Sequence, residues 1–326
     1  MIERRLVSDP YQCEKLWKTF IPVRSVSDLW DFRMCFQRYF KNRFCFHVLE
    51  EGGNIYGILP LSYIDGPDMT AFFPGETWKG KTWLERTPIY AINQDILYRL
   101  LSGCPERSCL RYIECDPDYL PEQMVSDETG YVLHPALLNY DKDNYRSRFS
   151  NKKFKSIMRD VNNILNMGAT FHINCVEDFE LLVEMSIEKY GAESYLQDVR
   201  FRNSFRDAIR LFQRNGYLRM VSMELEGNTV AVDVGSVFKG VYTVFLGGIF
   251  SRVPGLPKAM NMHHIDFAIN SKIHKLDFLC GDFNWKKLWH LDEEPLFKVV
   301  SSDPEDAASM YDIELPAPVM EEMAVC

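Results

Sequence analysis

The sequence contains no unbroken run of 18 apolar residues, so it has no segment that reads as a membrane-spanning helix. Its nine cysteines (13, 35, 45, 104, 109, 115, 175, 280 and 326) are odd in number and form no CxxC pair. Neither a zinc ribbon nor a disulfide framework is therefore expected, and a reduced protein is. The motifs GxSxG, GxxxxGK[ST] and HExxH are missing, which removes the nucleophile elbow, the phosphate-cradling loop and the zinc-protease helix. The opening stretch MIERRLVSDPYQCEKLW lacks an apolar middle region, so a cytoplasmic location is the expectation.

An excess of positive charge is also missing. The formal net charge is −9. Seven of the 46 acids (Asp303, Glu305, Asp306, Asp312, Glu314, Glu321, Glu322) follow Lys298, and none of the 37 bases does. The first 298 residues thus hold 39 acids against 37 bases, a net charge of −2. Such a body offers no general field for nucleic acid. The acidic tail reads as a solubilising extension, in which Leu315, Pro316 and Pro318 suit a segment lying along a groove.

What the chain does have is core-forming material. Hydrophobic residues make up 46% and aromatics 13% of 326 residues, enough for two packed domains of about 150 residues each. An internal echo supports two. Residues 44–63 (FCFHVLEEGGNIYGILPLSY) and 217–236 (YLRMVSMELEGNTVAVDVGS) each read as strand, tight turn, strand, with Gly52-Gly53-Asn54 and Gly227-Asn228 supplying positive φ. An aromatic helix precedes each: Leu29, Trp30, Phe32, Arg33, Phe36 and Phe40 in one half, Phe201, Phe205, Ile209 and Phe212 in the other. A third strand, a helix and a fourth strand follow each hairpin, at 69–73, 93–103 and 109–115 and again at 241–250, 256–272 and 274–279. The repeated order predicts an α/β fold with mixed sheets, made by duplicating one unit. Chance likeness of two Gly-Asn hairpins is the alternative.

The polar stretch at 138–152 reads as the seam between an N-terminal unit, 1–140, and a C-terminal unit, 141–300, before a tail at 301–326. An amphipathic helix follows, with Phe154, Ile157, Met158, Val161, Ile164 and Leu165 on one stripe. Ser150 or Asn151 suits its cap and Gly168 its end. Lys152, Lys153, Lys155 and Arg159 lie off the stripe, on either a solvated face or a phosphate-facing patch.

Two stretches read as sites. KLDFLCGDFNWKKLW (275–289) begins as a buried strand and breaks at Cys280-Gly281 into an acid, aromatics and lysines. SRVPGLPK (251–258) lies between a strand and a helix, where backbone N–H groups and the helix dipole suit pyrophosphate. Asp233 is an acid inside the apolar run VAVDVGS, placed either as a base with a raised pKa or toward solvent. Tyr242 and His290 are further acid/base candidates. His263 and His264 are neighbours on a helix and cannot share a face, so no metal site is expected there.

The unit order resembles the GNAT acyltransferase fold. The hairpin at Gly52–Leu61, the basic helix opening at Asn151–Arg159 and the strand end Asp277–Lys286 resemble the CelD-like acetyltransferase domains, relatives of the FemAB peptidyl transferases. The resemblance covers most of residues 40–300. It implies two tandem GNAT-like units, with acyl-CoA (acetyl-CoA) as co-substrate and an amine acceptor, a small molecule or one related to the cell envelope or a polysaccharide.

Arg252, Val253, Pro254, Gly255, Leu256 and Lys258 would then hold the pyrophosphate, and Asp282, Lys286 and Asp233 would do the chemistry. Trp285, Trp289, Lys152 and Lys153 would line the substrate site, while Asp277 and Gly281 shape the turn. A bulkier residue at Gly255 is expected to obstruct the donor and leave the fold intact. The first half has no glycine between strand and helix at 81–95 and reads as a degenerate unit forming one wall of the cleft. Aminoacyl-tRNA as donor, and an inactive pair that binds a polysaccharide or peptide, remain as alternatives.

Overall fold

In the first hairpin, Arg43–Glu51 and Asn54–Ile64 pair antiparallel across Gly52-Gly53, at φ 57° and 82°. In the second, Leu218–Leu225 and Asn228–Phe238 meet across Glu226-Gly227, at φ 52° and 80°. A two-residue turn of this hand needs both central residues left-handed. The second turn is therefore Glu226-Gly227, and Asn228 is already in the strand, opposite Leu225.

These hairpins belong to a computed structural model that describes residues 1–79, 81–115, 120–250, 253–281 and 284–299. Asp282, Arg252 and the acidic tail lie outside the described residues. In chain order the elements are β1 (Glu3–Val7), α1 (Pro10–Phe20), α2 (Trp30–Phe40), β2 (Arg43–Glu51), β3 (Asn54–Ile64) and β4 (Met69–Phe72). Three short strands follow, β5 (Thr77–Trp78), β6 (Lys81–Thr82) and β7 (Tyr90–Ala91), then α3 (Gln94–Leu101), β8 (Ser108–Ile113) and β9 (Met124–Leu133). Next come α4 (Lys142–Arg146), α5 (Asn151–Asn166), β10 (Thr170–Ile173), α6 (Phe179–Tyr190), α7 (Val199–Arg214), β11 (Leu218–Leu225) and β12 (Asn228–Phe238). The series ends with β13 (Val241–Ile249), α8 (Leu256–Asn270), β14 (Lys275–Cys280), α9 (Asn284–Leu288) and β15 (Asp292–Val299).

The chain divides into two compact units. The first holds Met1–Ile21, Phe40–Asp127 and Leu296–Val299; the second holds Pro22–Tyr39 and Glu128–Pro295. In the first unit the strand order is β1-β2-β3-β4-β8, with Phe297 and Val299 of β15 beside β8. Among the described residues of this unit β4 and β8 are the pair that runs parallel, because α3 carries the chain back between them. Asp9 starts α1 by accepting the N–H of Gln12 at 2.9 Å, and Asn93 starts α3 by accepting that of Ile96 at 2.9 Å. Trp17, Phe46 and Phe73 are buried against one another in the core.

In the second unit the order is β9-β14-β13-β12-β11-β10, and again one pair, β13 and β14, runs parallel. The helix α5 begins at Ser150, whose hydroxyl accepts the N–H of Lys153, and its chain turns away at Gly168, φ 88°. Ile157, Val161 and Ile164 are buried, but Leu165 is 44% exposed, a step of about 100° around the helix from Ile164. The helices α2 and α7 pack through aromatics, Phe32 on Phe212 with ring centres 5.3 Å apart and Phe36 on Phe205 at 5.3 Å. Each such buried ring contributes about 1.5–3 kcal/mol of transfer free energy.

The two units share more than strand order. Each hairpin register slips two residues before its turn, at Leu49/Glu50 and at Met223/Glu224. The strand after each crossover helix carries a left-handed non-glycine residue at its fifth position, Tyr112 at φ 57° in β8 and Leu279 at φ 61° in β14. Two tandem α/β units of one design make up the chain.

Candidate functional site

The strands β13 and β14 pair only through Val241–Thr243 and Lys275–Asp277. A register irregularity between β12 and β13 at Val234/Gly235 places an extra residue in β13 just beyond this point. A bulge of this kind bends its strand, and from Val244 to Ile249 β13 runs on without β14 beside it. The result is a fork between two parallel strands, where β14 no longer pairs with β13 beyond Thr243.

Asp233 of β12 lies opposite Gly247 in this part of β13. Its Oδ2 is 2.8 Å from Nε2 of His264 on α8, and Nδ1 of His264 is 2.7 Å from the hydroxyl of Tyr242 on β13. His264 and Tyr242 are fully buried and Asp233 is 9% exposed. Burial pushes the Tyr242 phenol well above its ordinary range, so it stays protonated. Arg219 lies over Phe267 at 3.2 Å and 5.7 Å from the Tyr242 ring. Gly247 is exposed, and a Cβ built on it would fall 2.5 Å from Oδ1 of Asp233. The missing side chain thus leaves a window beside the carboxylate.

The two histidines that the sequence set aside part company here. His263 stacks on Phe171 at 4.1 Å, and His264 completes a buried chain of three polar groups. Burial, then His264 and Arg219, hold the His263 pKa down at about 4. Among the described residues no cluster of His, Cys, Asp and Glu is placed to hold a metal.

The end of β14 is built differently from its sequence expectation. Asp277 is buried and accepts the Leu279 N–H at 2.9 Å, which supports the left-handed turn there and in Gly281 at φ 99°. Lys286 on α9 is 2% exposed and donates to the carbonyls of Phe278, Leu279 and Cys280 at 3.0, 2.9 and 2.6 Å. Its three N–H bonds are all committed to the strand, so Lys286 clamps the backbone and does not present its charge to a ligand. Trp289 is 1% exposed in the core, with Tyr145 bonded to its carbonyl at 2.7 Å, so its ring forms no substrate wall. Trp285, 37% exposed, lies edge-on to Phe278. Lys152 and Lys153 are exposed on the first turn of α5.

At the start of α8, Gly255 has φ 98°, and a Cβ there would lie 3.1 Å from the Asp160 carbonyl of α5. Its lack of a side chain serves helix packing, so a larger residue would strain the fold. Lys258 pairs with Asp160 at 2.5 Å and holds its carboxyl below the usual range. Val253 and Pro254 lead into Leu256, and the amides of Leu256 and Lys258 remain in a first turn whose Pro257 has none. This backbone suits an anion, while the Lys258 charge is already spent on α5.

The matching place in the first unit is filled by its own chain. Glu76, 1% exposed, accepts the N–H groups of Trp83 and Leu84 at 3.1 and 2.6 Å. Tyr112 on β8 bonds to the Thr82 carbonyl, and Thr87 bonds to the Tyr112 carbonyl. The segment between β4 and α3 is thereby tied down over β8.

The family model of the acetyltransferase (GNAT) domain matches residues 151–287, which hold α5, the fork, α8 and Lys286. No curated protein matches the chain in sequence. Among solved structures it is similar to L-PGS from Bacillus licheniformis, at 10% identity over 93% of this chain and 95% of that one, TM-score 0.56. It is similar to FemX at 10% identity over 92% and 98%, TM-score 0.54. It is also similar to a tandem GNAT protein from the clavulanic acid biosynthesis pathway, at 10% identity over 92% and 98%, TM-score 0.50. Likeness at such identities is likeness of fold. The fold is that of tandem GNAT-like units, and the match to the acetyltransferase (GNAT) model falls in the second.

Proposed function

We propose that the protein transfers an acyl group from acyl-CoA, acetyl-CoA being the simplest, to the nitrogen of an amine at the fork of the second unit. The observation that carries this reading is the coincidence of the fork with the matched acetyltransferase segment. Acyl-CoA bound there would supply a thioester carbonyl. Main-chain N–H groups of β13 beyond Thr243, where β14 no longer pairs with it, are the donors for the carbonyl oxygen, whose charge grows during attack. The first turn of α8, from Gly255, faces the donor's phosphates with backbone amides. Asp233 takes the proton of the attacking amine through Oδ1, beside Gly247. Lys286 and Asp277 hold the end of β14 so that the fork keeps its shape. Asp282 remains the proposed second carboxylate, Arg252 the proposed phosphate contact, and Trp285, Lys152 and Lys153 the proposed lining of the acceptor site.

The resemblance to FemAB proteins, together with the fold shared with FemX, makes aminoacyl-tRNA the second donor to test. A body of net charge −2 favours acyl-CoA over a polyanion. Among the described residues the longest helices, α5 and α7, have 16 residues each, so no long arm is available to grip tRNA.

The test is thermal shift with acetyl-CoA, longer acyl-CoAs, free CoA and aminoacyl-tRNA, followed by assay of Asp233→Asn against a panel of primary amines. Stabilisation by acyl-CoA and loss of turnover in the variant are expected. Stabilisation by aminoacyl-tRNA alone replaces the donor. No response to any of them leaves the chain a binding module and ends the acyltransferase reading.

A further inference from the structure

Asp233, His264 and Tyr242 come from three different elements and meet in a single line of hydrogen bonds. A buried imidazole between a phenol and a carboxylate has few ways to satisfy both neighbours. The carboxylate only accepts, so Nε2 must carry a proton to reach it. The phenol can then give its own proton to a bare Nδ1. That arrangement satisfies every group in the line, and unmet buried groups are costly. Its outer end is Oδ1 of Asp233, beside the gap at Gly247.

Gly247 supplies the second observation, because backbone geometry does not explain it. Its φ lies outside the left-handed region, so any residue could adopt its conformation. What a side chain would meet is the carboxylate, with Oδ1 at 2.5 Å and the carboxyl carbon at 3.4 Å. Gly248, the next residue, faces the other side of the sheet and packs against Met185 of α6. A glycine that is exposed, conformationally ordinary and adjacent to one carboxylate oxygen has the properties of an opening.

We propose that Tyr242 and His264 are positioning residues for Asp233: Tyr242 sets the His264 tautomer, His264 holds Oδ2 through Nε2–H, and Oδ1 is left facing the window at Gly247 to receive the acceptor's proton. This rests on the acyltransferase reading for its catalytic meaning, though the tautomer can be measured without any substrate. The other charged and titratable groups nearby are Arg219 of β11, on the far side of Tyr242, and His263, next in the chain. His263 makes its polar contact to Arg219, at 3.4 Å, and Arg219 in turn hydrogen-bonds to Tyr242 at the end of the line. The transfer itself balances simply. The new C–N bond forms as the C–S bond of the thioester breaks, the sulfur leaves as thiolate, and the amine proton moves to Oδ1.

The first measurement is a nitrogen-15 spectrum of the histidine-labelled full chain, in which His264 is assigned by its loss in His264→Gln. A protonated Nε2 with a bare Nδ1 is expected. A proton on Nδ1 alone, or on both nitrogens, overturns the proposal. Tyr242→Phe removes the donor to Nδ1 with almost no change of shape, and it should shift the His264 signals while leaving the unfolding transition cooperative. Should that variant fail to fold, Gly247→Ala carries the test, since it blocks the window from outside.

In Gly247→Ala the new Cβ must displace Oδ1, so kcat should fall about 10- to 100-fold, a share of the 10²–10⁴ typical of a general base, with KM for acyl-CoA held within about twofold. Unchanged kcat in Gly247→Ala overturns the window, whatever the spectrum shows. Failure of both acyl-CoA and aminoacyl-tRNA to bind the wild-type chain ends the functional reading instead, and leaves the tautomer result standing by itself.

Discussion

Lys286 illustrates how one residue's surroundings decide its task. Three backbone carbonyls receive its three N–H bonds at the end of β14, and water has almost no access. Lys286→Met should therefore cost stability as well as turnover, about 3 kcal/mol, because buried acceptors lose a charged donor. Urea unfolding measures this, and a loss below about 1 kcal/mol would mean the clamp is dispensable. His47 makes a second prediction. Burial, helped by the Arg4 guanidinium 3.0 Å away, lowers its pKa from 6.5 to about 4, and His263 is lowered similarly. The folded state refuses protons that the unfolded chain accepts, so this stability is complete above pH 6.5 and is lost as pH falls toward 4. Each contributes on the order of 2 kcal/mol. The urea midpoint should fall across that window, and His47→Gln should remove about half of the slope. Neither residue's setting was legible in the sequence, since a lysine beside tryptophans reads the same whether it faces a ligand or a strand end.

Among the elements, those written locally were legible. Glycines at the turns, the stripe of α5 and its Ser150 cap all follow from neighbours within about four residues. The fork depends on a bulge in β13, and the Asp233–His264–Tyr242 line joins residues 31 and 22 positions apart. Such alignments are properties of packing, so the sequence offered Asp233 and Tyr242 separately and discarded His264. The start of α8 carries a prediction of its own. Gly255→Ala combines a left-handed φ of 98° with a Cβ 3.1 Å from the Asp160 carbonyl. It should destabilise the second unit by about 1–3 kcal/mol, seen as a lower unfolding midpoint. Stability equal to wild type would show that α5 yields readily. The variant expected from sequence to test only the donor site tests helix packing first.

Across the whole molecule, duplicated topology has diverged in use. In the second unit the parallel strands separate into a fork, whereas in the first unit Glu76, Thr87 and Tyr112 secure the chain over the corresponding strand. Hydrogen exchange with acetyl-CoA present should show added protection in β13, β14 and the first turns of α8, and none in β3, β4 or β8. Protection of β4 and β8 would mean that both units receive donor. Topology and its repetition could be read from the order of elements, while the inequality of the units lay in side-chain contacts that no periodicity records.

The assignment of Pro22–Tyr39 to the second unit and of Leu296–Val299 to the first has a consequence for synthesis. Phe32 and Phe36 leave the ribosome some 170 residues before Phe201, Phe205 and Phe212, against which they pack. The outer partner of β8 arrives later still, because Phe297 pairs with Ile113. Neither unit can finish until parts distant in the chain have been made. An aromatic helix is left uncovered early, and a strand edge is left open until β15 has been made. Both are features that chaperones bind. A nascent chain stalled near residue 290 should be protease-sensitive in both halves, and release of the full chain should bring protection to both together.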